Sequence, residues 1–126
     1  MLVDSRDALT GTVIDAAIRV HKALGPGLLE SVYQAALVHE LRRRGIPFVA
    51  GCKLPVRYDG VELEQFFRLD LLVADCLVVE LKSVQELHPI HSAQLLTYLK
   101  LGGHKRGLLI NFNVERLVNG VRRLSL

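Results

Sequence analysis

The chain has 126 residues, carries a formal charge of +3 at pH 7, and is 50% hydrophobic with 23% charged residues. That length holds one domain with a real core and is too short for two, and the composition excludes a disordered chain. No apolar run approaches a membrane span, and the opening MLVDSRDALTG lacks the basic flank and apolar core of a signal peptide. Cys52 and Cys76 fit neither a disulfide scaffold nor a zinc-site spacing, so a reducing cytoplasm is the expected compartment. We therefore expect a single domain over residues 1–126. The mildly basic charge suits a nucleic-acid partner but suits many ordinary enzymes as well.

Leu9, Val13, Ala16, Ala17, Val20 and Leu24 recur at spacings of three and four, which predicts an amphipathic helix. It should start near Thr10 and stop at Gly25-Pro26-Gly27. A second helix is expected from about Leu28 to Arg44, ending at Gly45 with Pro47 beyond. The run Arg42-Arg43-Arg44 reads as a solvated helix end with cations near the C-terminal dipole. From Phe48 to Ser83 the period falls to two, predicting strands at about 47–50, 53–58, 61–73 and 77–83. Gly51, Asp59-Gly60 and Ala74-Asp75 are the turn signals, and Asp59-Gly60 is a strong two-residue hairpin signal.

CLVVELKS is nearly continuous apolar sequence until Glu80, as expected of a strand covered on both faces. His88-Pro89 should open a third helix running to about Leu101, closed by Gly102-Gly103. RGLLINF reads as another buried strand, and ERLVNGVRRLSL as a short terminal hairpin around Asn119-Gly120. The strand, helix, strand passage from 77 to 111 predicts a crossover between parallel neighbours. The expected fold is α/β, a mixed sheet with helices on both sides.

Several polar residues break this pattern. Glu30 sits in an otherwise apolar helical start, at the edge of a stripe expected to bury Leu29, Val32, Tyr33 and Leu37. Alternation in FFRLDLLV puts Phe67, Leu69 and Leu71 on one face and Phe66, Arg68 and Asp70 on the other. Val78, Glu80 and Lys82 share a face of the next strand. An unpaired buried carboxylate is prohibitive, so each of these charges needs a partner, water or a cation.

Taken singly, an ion pair of Lys82 with Glu80 or Asp70 accounts for them. Together, Asp and Glu oxygens on neighbouring strands make a hard-ligand site suited to magnesium or manganese. A lysine on the same face could reach an activated water or steady a phosphate. On the third helix, His91, Gln94 and Tyr98 fall on one face while Leu95, Leu96 and Leu99 point elsewhere. That face is either a plain polar surface or one that looks into the site after Lys82.

GLLESVY at 27–33 resembles the signature of the GxxExxY proteins, a family of the PD-(D/E)XK nuclease superfamily. The similarity continues through LD at 69–70, VVELKS at 78–83, QLLTYLK at 94–100 and LLINF at 108–112. The resemblance implies a restriction-endonuclease-like α-β-β-β-α-β core with an extra N-terminal helix. It also implies Asp70 and Glu80 as metal ligands, Lys82 as catalytic lysine, and Glu30 as the helix glutamate that approaches the metal. Gln94 and Tyr98 match the Q-x-x-x-Y motif of the exonuclease-like branch. Leu69 stands where the superfamily usually has a proline.

The function implied is magnesium- or manganese-dependent hydrolysis of phosphodiester bonds in DNA or RNA, with a homodimer as the assembly suggested by so small a nuclease. The alternative is a catalytically silent nuclease-fold module that binds nucleic acid or protein. Little aromatic content is available for base stacking, and no separate DNA-reading motif is present.

One expectation follows from parity. If Val73 paired with Cys76 across a two-residue loop, Asp70 would lie opposite Val79 and Glu80 would face away. A three-residue loop, Ala74-Asp75-Cys76, brings Asp70 opposite Glu80. Local cues allow either loop, and only a shared metal site demands the odd one or an equivalent bulge.

Overall fold

The computed structural model describes residues 5–126; residues 1–4, which begin the stretch read above for a leader, lie outside them. The order is α1 (Ser5–Leu24), α2 (Glu30–Arg43), β1 (Phe48–Tyr58), β2 (Val61–Val73) and β3 (Leu77–Lys82). Then come α3 (Pro89–Gly102), β4 (Arg106–Asn111), a short 3₁₀ turn (Leu117–Gly120) and β5 (Val121–Ser125). The strands form one sheet in the order β1-β2-β3-β4-β5, with β3 and β4 parallel and the other neighbours antiparallel. The expected α/β architecture and the parallel β3-α3-β4 crossover are both present.

Helices cover both faces because the central strands are apolar on both. Val13, Ala17 and Val20 of α1 and Tyr33, Leu37 and Leu41 of α2 pack against Leu71, Val79, Leu81, Leu108 and Ile110. On the other face Leu95, Tyr98 and Leu99 of α3 pack against Leu54, Leu69, Leu72, Val78 and Leu109. α1 and α2 are tied by Glu40, which is buried and pairs with Arg19 at 3.1 Å as well as with Arg43 and Arg44. Arg42 lies over the Phe48 ring, so the arginine run is partly engaged.

α1 begins at Ser5, earlier than Thr10, because Ser5-Arg6-Asp7 contributes no apolar period by which the extra turn could register. The two strands expected at 47–50 and 53–58 are one continuous strand. Gly51 has φ 63° and bends β1 without ending it. Ala50 pairs with Leu71 and Cys52 with Leu69, while the position joining Gly51 and Asp70 drops out of the ladder. Across that bend the faces exchange: Leu71 packs under α1 and α2, and Leu69 packs under α3. The alternation expected to keep Phe67, Leu69 and Leu71 together is therefore broken at Asp70.

Asp59-Gly60 closes β1 on β2 with Tyr58 opposite Val61, both loop residues at positive φ, as the hairpin signal requires. Nearer the body, Val56 of β1 faces Leu63, Glu64 and Gln65 of β2, so the arm is bulged. Residues 61–68 are all exposed, so this hairpin projects past the covered part of the sheet.

The expected terminal hairpin is absent. Asn119-Gly120 ends a 3₁₀ turn, and β5 returns along β4 with Ile110 opposite Val121. Gly120 is required there by close approach, since a Cβ would collide with the Asn111 carbonyl oxygen.

Candidate active site

The GLLESVY segment forms the link from α1 to α2. Gly25 caps α1 through its N–H on the His21 carbonyl, and Gly27 follows at φ 94°, a conformation L side chains rarely adopt. The Tyr33 hydroxyl donates to the Gly25 carbonyl at 2.6 Å and accepts the Leu28 N–H at 3.1 Å. Its ring stacks on Phe112 at 4.5 Å and 8°. Glycine, glutamate and tyrosine at this spacing thus have one joint effect. Tyr33, anchored in the core, clasps the loop that delivers Glu30 as the first residue of α2.

Of the expected buried stripe, Tyr33 and Leu37 are fully buried, but Leu29 is 73% and Val32 41% exposed. Leu29 is the cap outside the helix, and α2 packs through Tyr33, Leu37 and Leu41 at intervals of one turn. Glu30 therefore stands at a helix N-terminus, where the dipole favours a carboxylate, and not at the edge of a leucine stripe. Its pKa is raised above the usual carboxylate value by burial and by the Asp70 charge, with Lys82 acting in the opposite direction.

Asp70 and Glu80 meet at the end of the β2-β3 ladder. Val73 pairs with Leu77 across the three-residue loop Ala74-Asp75-Cys76, whose first two residues have φ 49° and 58°. This is the odd loop, and Leu71 pairs with Val79 at the last laddered position. Beyond it the carboxylates take over from backbone pairing. The Asp70 N–H donates to Glu80 Oε1 at 3.0 Å, and the Leu81 N–H donates to Asp70 Oδ2 at 2.8 Å. The Asp70 carbonyl accepts from Gln34 Nε2 of α2 at 3.2 Å.

Glu80 is buried, and its pKa is pushed up to about 8, first by burial and then by the adjacent Asp70 charge. Lys82, two residues along the same strand, opposes that shift. The end of β3 is fixed on both sides. Ser83 Oγ donates to the Leu28 carbonyl at 2.6 Å, and the buried Asn111 side chain bonds both the N–H and the carbonyl of Val84.

From α3, Leu95 and Leu99 pack on the sheet while Tyr98 is buried with its ring 5.2 Å from Phe67. The Tyr98 hydroxyl is held above its ordinary value by burial and then by the charges of Glu80 and Asp70. Gln94 lies one turn earlier on α3 and is exposed. His91 is engaged elsewhere, its Nδ1 accepting the His88 N–H at the start of the helix. Glu30, Asp70, Glu80, Lys82 and Tyr98 thus share one electrostatic neighbourhood, built from α2, β2, β3 and α3.

The donor set has the chemistry of a hard-cation site: Asp70 and Glu80 each give one oxygen to a backbone amide, and their carboxyl groups also interact with each other. Burial and the adjacent Asp70 charge, which together raise Glu80, are what a cation or proton offsets. Among the described residues, no three His, Cys, Asp or Glu side chains form a preassembled metal cage. Asp70 and Glu80 are the pair on which a divalent ion would rest, keeping several waters.

Sequence reasoning missed Gln34, Ser83 and Asn111. Only Gln34 carried a usable signal, lying four residues after Glu30 and so on the same helix face.

A mixed sheet with helices on both faces and an acidic pair where two central strands part makes this an α/β protein with an acidic site at the centre of its sheet. A family model described as the PD-(D/E)XK nuclease superfamily matches residues 7–124, and the chain belongs to that superfamily. Comparison with curated proteins and with solved structures gave no match. No helix among the described residues is long and apolar enough to cross a membrane.

Proposed function

We propose that this chain is a metal-dependent nuclease of the GxxExxY type that hydrolyses phosphodiester bonds in nucleic acid. The observation that carries the reading is the reciprocal engagement of Asp70 and Glu80 across two strands, with Lys82 two residues beyond on the same face. Asp70 and Glu80, with Glu30 from α2, would hold magnesium or manganese. When bound, such an ion supplies positive charge to the phosphate and acidifies water.

The remaining roles belong to the chain. The Lys82 ammonium orients the attacking water and offsets charge building on the phosphate. The Tyr98 hydroxyl, held near the carboxylates, donates to a phosphate oxygen, and Gln94 on the same helix orients the strand. Gln34 is a positioning residue, holding the Asp70 backbone so that its carboxylate meets Glu80. In this reading the enzyme works in the cytoplasm, where Cys52 and Cys76 remain thiols, and as a homodimer. Light scattering on the eluted protein tests the assembly.

The decisive experiment is manganese and magnesium titration with cleavage assays on single-stranded, duplex and branched DNA and RNA. Asp70→Asn, Glu80→Gln and Lys82→Met should each lower the rate by about 10²-fold or more. Metal binding by calorimetry without cleavage of any substrate would leave a silent nuclease-fold module instead.

A further inference from the structure

A concavity of about 650 Å³ lies between the C-terminal half of α3 and β1. Its floor is apolar, including Leu54 and Leu69 from the cluster that also buries Tyr98. Its walls carry Lys53, Arg57, Lys100 and His104, and no carboxylate lines it. Arg57 is partly offset by Glu62 at 3.7 Å. Among the described residues, no carboxylate pairs with Lys53, Arg68 or Lys100. Lys53 and Arg68 lie instead over the ring of Phe66, at 4.7 and 5.3 Å. Uncompensated cations around a concave surface create a field that attracts a polyanion.

The groove is built on the same strand and helix that carry Asp70 and Tyr98. Leu69 precedes Asp70, Thr97 of the groove precedes Tyr98, and Leu54 of its floor pairs across the strands with Phe67. Phe67 is 43% exposed and its ring lies 5.2 Å from that of Tyr98, so an open aromatic face stands beside Leu54 of the groove floor. A duplex presents phosphates on a broad convex surface and hides the faces of its bases. A concave surface with an apolar floor, cationic walls and a half-open phenylalanine beside it matches an unpaired strand, which offers phosphates and base faces together.

We infer that this groove takes a single strand of nucleic acid, with Lys53 and Lys100 on its phosphates and Phe67 stacking the base nearest the carboxylates. The inference rests on the nuclease reading for the fate of the strand, but its binding stands alone. It also alters the expectation drawn from low aromatic content, because Phe66, Phe67 and Tyr98 lie together beside the groove.

The test is fluorescence anisotropy in EDTA with a labelled oligonucleotide of about ten residues, as DNA and as RNA, against a hairpin duplex of the same sequence. The single strand, in one or both sugar forms, should bind at least about tenfold tighter than the duplex. The double variant Lys53→Glu, Lys100→Glu should weaken it by about tenfold or more, and its binding should depend less steeply on salt. Phe67→Leu should weaken it by about fivefold or more. Arg123→Glu, on the far edge strand, changes the charge as much as either lysine substitution alone and should leave binding within about twofold of the parent. Circular dichroism establishes that each variant is folded.

Duplex binding as tight as single-strand binding, or groove variants that bind like the parent, would overturn the proposal. If the parent cleaves nucleic acid while folded groove variants bind unchanged, the groove assignment falls and the nuclease reading stands. If groove variants lose binding and the parent never cleaves, the opposite holds.

Discussion

The N–H of Asp70 donates to Glu80 Oε1 at 3.0 Å, while Asp70 Oδ2 accepts the N–H of Leu81, the residue after Glu80, at 2.8 Å. Two side chains thereby finish a ladder that backbone carbonyls began, and they hold two acids side by side. In the absence of metal this arrangement ties stability to pH. Below the ordinary glutamate value of 4.5, folded and unfolded chains are both protonated at Glu80. Between 4.5 and about 8 only the folded chain keeps that proton. The associated stability is therefore full at the low end and lost as pH rises through the folded value. Glu30, also raised, adds in the same direction. Thermal unfolding in EDTA should show Tm falling from about pH 5 to about pH 8, with a shallower fall in Glu80→Gln. Manganese should restore Tm most at the alkaline end. A Tm that climbs across this window would contradict the assignment.

Tyr33 should matter to activity without touching substrate. Tyr33→Phe keeps the stack on Phe112 but removes both hydroxyl bonds to the α1-α2 loop, at a cost of about 1–3 kcal/mol in urea unfolding. Because the loop positions Glu30, the rate should fall too, and adding Glu30→Gln to Tyr33→Phe should cost less than the separate effects combined. Fully additive rates would show that the clasp does not act through Glu30.

Two glycines should respond to alanine with opposite signs. At Gly120 a Cβ would meet the Asn111 carbonyl, so Gly120→Ala should destabilise by about 1–3 kcal/mol. At Gly11, inside α1, nothing lies within 4 Å of an added Cβ. There alanine should stabilise by about 0.5–1 kcal/mol through better helix propensity. Denaturant midpoints measure both.

The loop between the acidic strands holds Ala74 and Asp75 at φ 49° and 58°. Left-handed backbone costs a residue with a Cβ roughly 1–2 kcal/mol, partly offset in glycine by its greater unfolded freedom. Ala74→Gly should therefore stabilise by a few tenths to about 1 kcal/mol, with unchanged cleavage. A clear loss of stability would mean that the packing of the Ala74 methyl against the α1–α2 core outweighs the strain.

Much of the fold was legible in the chain because it depends on local chemistry. The apolar period of α2, the continuous apolar run of β3, the Asp59-Gly60 turn and the proline-led start of α3 are all visible in short windows. The failures share a cause. Gly51 reads as a turn in any window that omits β2, yet opposite Asp70 it becomes a bend inside a strand. Asn119-Gly120 has the residues of a hairpin turn, but its glycine is required by the backbone of β4. Leu29 and Val32 are apolar and exposed because the burial of α2 is decided by α1 and the sheet.

The candidate site divides in the same way. Sequence alone determined which residue types were available, and that Glu80 and Lys82 share a face, since alternation within one strand is a property of the extended backbone. It did not determine that Asp70 shares that neighbourhood, because a loop without glycine accepts two residues as readily as three. Tertiary packing decided it. Leu71 and Val79 must pair under α1 and α2, and Leu72 and Val78 under α3, and only the odd loop satisfies both layers at once. The energy of filling two cores exceeds the strain of left-handed Ala74 and Asp75, and the register it selects sets one carboxylate beside the other.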